Sequence, residues 1–471
     1  MIVGLAVALA VCLGLFALAL RRPQWGVLAI AALMPLHGLL LIYPVTVSFW
    51  KEAAVLAVLV ACPFAPRPPH GRTVVAPWLI PFVVLAPVGI VSALVVHGAQ
   101  AFFPLKIAFF YVLLAVIAVI FPFDRRDKDT FVTVLIVTGT ISAVYGIWQQ
   151  LIGPHALADM GYEWNEHIRS AGPLLRSFGT FNQPFPFGLF LMLVIIIGTS
   201  AALAEPHRLR SRLFMLAFPV LGLGMVLSVV RASYIGVVVG LVLIGLLLYR
   251  RFLGWLLVGA VVGGLVLAVF TAVFGTGALS AFISSSSLED RGGHWTTNLP
   301  LIVTQPLGQG LGTTGSSAAK VAAGWDPVAP LYQPDSNVIK ILLELGPVGF
   351  VCYTAIVLLM VIPLLRMMPV TEDPLERGLI GGVVAATLAA CVAALFSTYL
   401  EIFPMDAYFW LFPAIAASTT TAVRDRITGR LRPGRPAVLT THNTESTTAA
   451  IRSRKVASEK ASANRASSDR E

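Results

Sequence analysis

The sequence predicts an all-α polytopic membrane protein of about 12–13 transmembrane helices, with one large extracytoplasmic loop between the tenth and eleventh spans. Three observations carry that prediction. Hydrophobic residues form 57% of the 471 and charged residues only 12%, about half the charge of a soluble domain. Mean hydropathy is +0.84. The apolar residues also fall in runs long enough to cross a hydrocarbon core of about 30 Å as helices, without the alternation of barrel strands.

The first run, 2–20, ends at Arg21-Arg22. Its charge follows the apolar stretch and no small-residue cleavage site comes after, so it reads as a span and not as a signal peptide. Further runs lie at 25–43, 50–62, 75–96, 104–122, 131–151, 186–204, 213–230, 234–249, 253–274, 347–365, 377–398 and 405–422. The short run 50–62 separates a count of twelve from one of thirteen. Basic clusters at Arg21-Arg22, Arg67 to Arg72, Arg125 to Lys128, His207 to Arg212, Arg250-Arg251, Arg366 to Arg377 and from Arg424 onward occupy every second connection. The positive-inside rule makes those the cytoplasmic side. The long connections at about 152–185 and 275–346 then face outward. This divides the chain into a membrane domain, 1–423, and a basic, Ser- and Thr-rich cytoplasmic tail, 424–471, expected to be disordered and suited to anionic lipid heads.

Composition also excludes some classes of function. Of the net charge of +10, the tail supplies +6, with 11 Lys/Arg against 5 Asp/Glu from Arg424 onward. Basic residues beside spans are explained by topology, so no nucleic-acid partner is expected. Cys12, Cys62, Cys352 and Cys391 all lie in apolar runs without a CxxC pair and read as small buried hydrophobes. No HExxH pattern occurs and His294 lacks a second histidine at ligand spacing, so neither metal nor cofactor is expected.

The loop 275–346 is the natural place for chemistry, since a compact domain rarely carries so long a polar loop without a use for it. It holds SSSSLEDRGGHW (Ser284 to Trp295), PLGQGLG (Pro306 to Gly312) and PDSNVIKILLELG (Pro334 to Gly346). TNLPLIVTQ between the first two is a candidate short helix on the membrane. PLGQGLG lacks the spacing of a P-loop, and its glycines permit close backbone approach to a substrate or a neighbouring helix. Asp335-Ser336-Asn337 precedes a helix in which Val338, Ile341, Leu342 and Leu345 share one face. Asp335 or Ser336 caps that helix, or the same N-terminus faces a phosphate. In the earlier loop, His155, Asp159, Glu163, Glu166 and His167 belong to an amphipathic, solvated stretch from which nothing selects a base.

Arg231 stands in VLSVVRASYIGVVVGL, in a tight turn between two spans. Ser228 and Ser233 offer hydroxyls nearby but no counter-charge. An arginine so near hydrocarbon costs a few kcal/mol unless it snorkels or is paired. Two readings are open: a snorkelling residue that marks a helix end, or a cation that grips an anionic lipid head, for which a planar guanidinium suits a phosphate.

The order of these motifs resembles the O-antigen ligase and polymerase superfamily of bacterial polytopic membrane proteins. Ser228 and Arg231 resemble its serine–arginine element, although Val229-Val230 departs from the usual pattern. Arg291, Trp295, Pro306-Leu-Gly and Gly310-Leu-Gly resemble the start of its outer loop, and Ser336-Asn337 with Leu343-Glu344-Leu-Gly346 the loop's end. Gly179-Thr-Phe-Asn182 before Phe187-Gly188 resembles the entry to its central span. Ligases of the family usually carry a histidine where this chain has Ser336, which leaves room for a polymerase-like member.

The resemblance implies a glycosyltransferase of the bacterial cytoplasmic membrane that uses a polyprenyl-pyrophosphate-linked glycan donor. The acceptor would be a glycan, a lipid or a protein, and membrane lipids and envelope-biosynthesis proteins would be partners. The expected catalytic residues are Arg291, Asp335 and His294, with Arg231, Ser336 and Asn337 binding substrate. Arginines would neutralise the leaving pyrophosphate without metal, and Asp335, or else His294, would take the acceptor proton. A transporter or flippase and a non-catalytic assembly partner are the alternatives; the scarcity of charge deep in the spans disfavours transport.

Overall fold

The computed structural model describes residues 2–42, 49–66, 71–162, 170–171, 174–274, 298–322, 334 and 336–427. Arg291, His294 and Asp335, and the tail from Thr428, lie outside the described residues. Met1–Ile427 forms one compact unit.

Each apolar run becomes helix. In order these are α1 (Ile2–Arg21), α2 (Pro23–Leu33), α3 (His37–Ile42), α4 (Trp50–Ala61), α5 (Leu79–His97), α6 (Phe102–Phe109), α7 (Val112–Ile120) and α8 (Arg125–Asp159). There follow α9 (Pro184–Ala204), α10 (Leu209–Leu227), α11 (Arg231–Leu247), α12 (Arg250–Phe274), α13 (Gly315–Ala322), α14 (Asn337–Met367), α15 (Pro374–Ala394), α16 (Met405–Ala416) and α17 (Thr421–Ile427). Among the described residues, eight helical segments are long and apolar enough to cross a membrane. Several predicted spans are not single long helices. The run 25–43 is interrupted by a 3-10 turn at Met34–Leu36, which contains Pro35, and 104–122 is divided between α6 and α7. α4 and α16 have only 12 residues each.

The core is organised around α9. Almost every residue from Pro186 to Ala202 is buried, because neighbouring helices enclose it on all sides. Glycines on those neighbours admit its bulk: a Cβ on Gly236 would lie 2.2 Å from Met192 Sδ, and one on Gly240 would lie 2.3 Å from Ile196 Cδ1. Small residues at i and i+4 let membrane helices approach closely, since packing takes over where no water drives association.

The predicted inner end is tied together by ion pairs. Arg22 pairs with Asp124 and Asp127, Arg72 with Glu376, and Arg210 with Glu205 and Asp129. Arg125 bridges Glu205 and Asp373. Lys128, fully buried, donates to the Ser418 carbonyl at 2.6 Å. Beside it a two-stranded antiparallel ladder joins β1 (Arg72–Val74) to β2 (Ser418–Thr420). The basic clusters therefore do more than mark topology; they staple the connections to one another.

Candidate functional site

The opposite, loop-bearing end gathers the residues of interest. α10 ends at Leu227 and α11 begins at Arg231, so Ser228, Val229 and Val230 form the whole turn. Val229 adopts φ 51, a left-handed conformation that is rare for a β-branched residue and marks local strain. The neighbouring hydroxyls are spent on the backbone. Ser228 Oγ donates to Met225 O at 2.6 Å and Ser233 Oγ to Val230 O at 2.7 Å. They fix the turn that presents Arg231 as the first residue of its helix.

The Gly179-Thr-Phe-Asn182 element is structural in its contacts. Thr180 Oγ1 donates to Pro35 O at 2.6 Å and shares a 2.7 Å hydrogen bond with Ser142 Oγ. Gln149, buried on α8, accepts from the amides of Phe178 and Gly179 and donates to Gly179 O. One residue on, Gln150 donates to Leu175 O and Ser177 Oγ. The segment enclosed by these bonds carries Arg176, a cation that the sequence reading passed over. Its guanidinium sits 4.9 Å above the Phe185 ring and 3.4–3.5 Å from the carbonyls of Ser228 and Val229. Burial pushes Arg176 below its ordinary pKa; Tyr234 opposes this and the charge of Arg231 adds to it.

The returning limb of the large loop docks on α14. Gly346, at φ 65 and ψ −174, breaks that helix six residues beyond Lys340, and Pro347 follows. The break frees the carbonyls of Leu343 and Glu344, which accept from the amides of Gln309 (2.7 Å) and Gly310 (2.9 Å). Here the glycines of PLGQGLG are needed: a Cβ on Gly308, at φ +74, would stand 2.5 Å from the Glu344 carbonyl. The motif meets a helix of its own chain. The helical stretch 298–304 covers the same place, with Ile302 packed on Ile339 and Leu343.

α14 buries charge in its first turns. Of the face shared by Val338, Ile341, Leu342 and Leu345, only Leu345 is buried, whereas Ile339, Lys340, Leu343 and Glu344 are all buried. The reason is polar pairing. Lys340 Nζ donates to Glu344, to Glu401 (2.9 Å), to Thr314 O (3.1 Å) and to Ser317 Oγ (3.2 Å). Glu344 accepts from the amide and hydroxyl of Thr314, both at 3.1 Å. Glu401 accepts from the Ser316 and Ser317 amides at the start of α13 and from Ser317 Oγ. Charges this deep persist only when paired and hydrogen-bonded. A Lys and a Glu four apart in an otherwise apolar run were the available signal; Glu401 had none.

Ser336 caps α14: its Oγ accepts from the Val338 amide at 3.2 Å and donates to Ala394 O at 3.4 Å. Asn337 anchors its backbone on Ser397 O, while its carboxamide makes no hydrogen bond among the described residues, although the residue is only 3% exposed. Asn337 borders two cavities. A small one, about 80 Å³, lies against Lys340, Glu401, Ser317, Ile107 and Trp410. A larger one, about 390 Å³, is almost wholly apolar and is bounded by Val239 of α11, Ile341, Tyr353, Val357, Leu388 and Phe409. Among the described residues no cluster of His, Cys, Asp and Glu could hold a metal ion.

Ser336 and Asn337 thus stand at the start of α14 beside buried polar groups and an apolar cavity, and Arg231 opens α11, whose Val239 borders the same cavity as Asn337. Residues 213–354, from α10 into α14, match the family model described as O-antigen ligase, which supports the resemblance to the O-antigen ligase/polymerase superfamily. No curated protein matches the chain.

Proposed function

We propose that the protein is a cell-envelope glycan polymerase or ligase. It transfers an oligosaccharide from a polyprenyl-pyrophosphate carrier to an acceptor hydroxyl at the outer face of the cytoplasmic membrane. One observation carries this reading: Arg231 opens α11, and Val239, two turns along the same helix, borders the 390 Å³ apolar cavity that Asn337 rims. A pyrophosphate held by Arg231 would leave its carrier chain above an apolar space about 12 Å further into the membrane.

In the transfer, the acceptor oxygen bonds to the anomeric carbon, the bond from that carbon to the phosphate oxygen breaks, and the electron pair leaves with the pyrophosphate. Arg231 and Arg291 stabilise the charge that develops there. Asp335 takes the acceptor proton, with His294 as the second candidate. Asn337 offers its free carboxamide to a sugar hydroxyl, and Ser336 holds Asn337 at the helix start. No metal enters this scheme.

The test uses protein in lipid nanodiscs supplied with a polyprenyl-pyrophosphate oligosaccharide, with release of polyprenyl pyrophosphate and glycan length as readouts. Growth on the donor alone identifies a polymerase, and transfer only to an added acceptor identifies a ligase. Arg231→Ala should lower turnover about 10²–10³-fold. Undiminished turnover in Arg231→Ala, or no release with any donor, would refute the proposal.

A further inference from the structure

We propose that Arg176 is the second cation of a phosphate-binding site that it forms with Arg231, and that Gln149 and Gln150 hold it in place. The reading of a lipid-linked pyrophosphate donor bears only on which phosphate occupies the site.

The backbone on both sides of Arg176 is immobilised. Leu175 O accepts from Gln150 at 2.6 Å, the Ser177 amide donates to Leu227 O at 2.9 Å, and Ser177 Oγ donates to Gly146 O at 2.7 Å. Phe178 and Gly179 are held by Gln149. Such a frame aims one side chain closely, as a binding site requires. The side chain itself is little used by the protein. A guanidinium has five N–H donors, and those of Arg176 make two contacts, at 3.4 and 3.5 Å, near the outer limit of a hydrogen bond. Among the described residues no carboxylate pairs with it, in contrast to Arg22, Arg72, Arg125 and Arg210 at the other end of the bundle.

A second arginine, three residues beyond Ser228, adds its positive charge to this place. A phosphate beside the Ser228–Val230 turn is attracted by both guanidinium groups. The Phe185 ring below the guanidinium fixes its plane by a cation–π contact. Planar guanidinium groups bind phosphate oxygens in pairs. A purely structural role, capping the last carbonyls of α10, would use the same two carbonyl contacts and would need no second arginine.

Binding is measured in nanodiscs of phosphatidylcholine with three probes: polyprenyl pyrophosphate, inorganic pyrophosphate and phosphatidylglycerol. The variants are Arg176→Gln, Arg176→Lys and Gln150→Leu, each with its unfolding midpoint. Arg176→Gln should weaken polyprenyl pyrophosphate at least tenfold at an unchanged midpoint, Arg176→Lys less, and Gln150→Leu by an intermediate amount. Where Arg176→Gln does not fold, Arg176→Lys carries the comparison. Arg176-dependent binding of phosphatidylglycerol or inorganic pyrophosphate alone upholds the anion site and overturns the donor reading. Equal affinities for every probe across the variants, or a lowered midpoint with unchanged binding, overturn the site.

Discussion

Lys340 Nζ stands 2.9 Å from Glu401 Oε1 and joins the first turn of α14 to the short turn beyond α15. Glu344 completes the group from the same helix, and the amides of residues 314, 316 and 317 close it from the returning limb of the loop. One lysine therefore holds three segments that are distant in sequence.

Removing it leaves two carboxylates buried without their cation. Lys340→Met should destabilise the protein by about 3–5 kcal/mol, as breaking a buried ion pair does. Adding Glu344→Gln and Glu401→Gln should return part of that loss. Thermal unfolding in nanodiscs measures both; a wild-type midpoint for Lys340→Met would show that the cluster is not a lock.

The docking of the loop on the break in α14 depends on glycine. Gly308→Ala should cost about 1–3 kcal/mol, because it forces φ +74 on a residue with a Cβ and drives that atom against the Glu344 carbonyl. Gly222→Ala, with nothing within 4 Å of its added Cβ, should stabilise its helix by about 0.5–1 kcal/mol. Similar effects at the two positions would contradict the docking.

Asn337 separates function from stability. Its carboxamide takes no hydrogen bond among the described residues, so Asn337→Ala should leave the unfolding midpoint nearly unchanged. Turnover of a lipid-linked donor should fall about tenfold, the worth of one good hydrogen bond. An unaltered kcat/KM would remove Asn337 from the substrate site.

At the other end, acid should loosen the ion-pair staples. Burial alone would raise the Asp373 carboxyl, but the Glu376 amide and the Arg125 guanidinium outweigh it and hold the pKa below the usual value. Asp124 is lowered in the same sense against its own burial, by the Asp127 amide and Arg22. A depressed carboxylate contributes stability above its unfolded pKa of about 3.9, and that contribution is lost as the pH falls through the lower folded value. The unfolding midpoint should therefore drop below about pH 4, and Asp373→Asn should flatten that acid limb. An identical pH profile for the variant would count against the Arg125–Asp373 pair.

Much of the fold could be read from local pattern. The thirteen apolar runs all became helix, because hydropathy over a window of residues reports directly on what lipid tolerates. The tight turn at Arg231 and a cap at Asp335 or Ser336 were legible for the same reason: each rests on the conformational preference of one to three residues. The inward burial of Lys340 and Glu344 on α14 was not legible in that way. An apolar stripe marks the core of a soluble helix, whereas in a membrane protein it can face lipid or a lipid-like cavity while Lys340 and Glu344 turn inward. Arg176 and Glu401 gave no local sign, since their meaning lies in partners far along the chain.

The sequence by itself determined that this is a multi-pass helical protein, where its helices begin and break, and which motifs lie at which connection. Only the tertiary structure decided that Gly308 and Gly310 of PLGQGLG meet the break in α14, that Lys340 meets Glu401, and that Arg176 comes to rest beside the turn that carries Arg231. The division has a physical cause. Helix formation in a membrane is set by neighbouring residues, which must satisfy their own backbone hydrogen bonds. Charge pairing and cavity lining are set by which helices pack, and that depends on the shape of every surface at once.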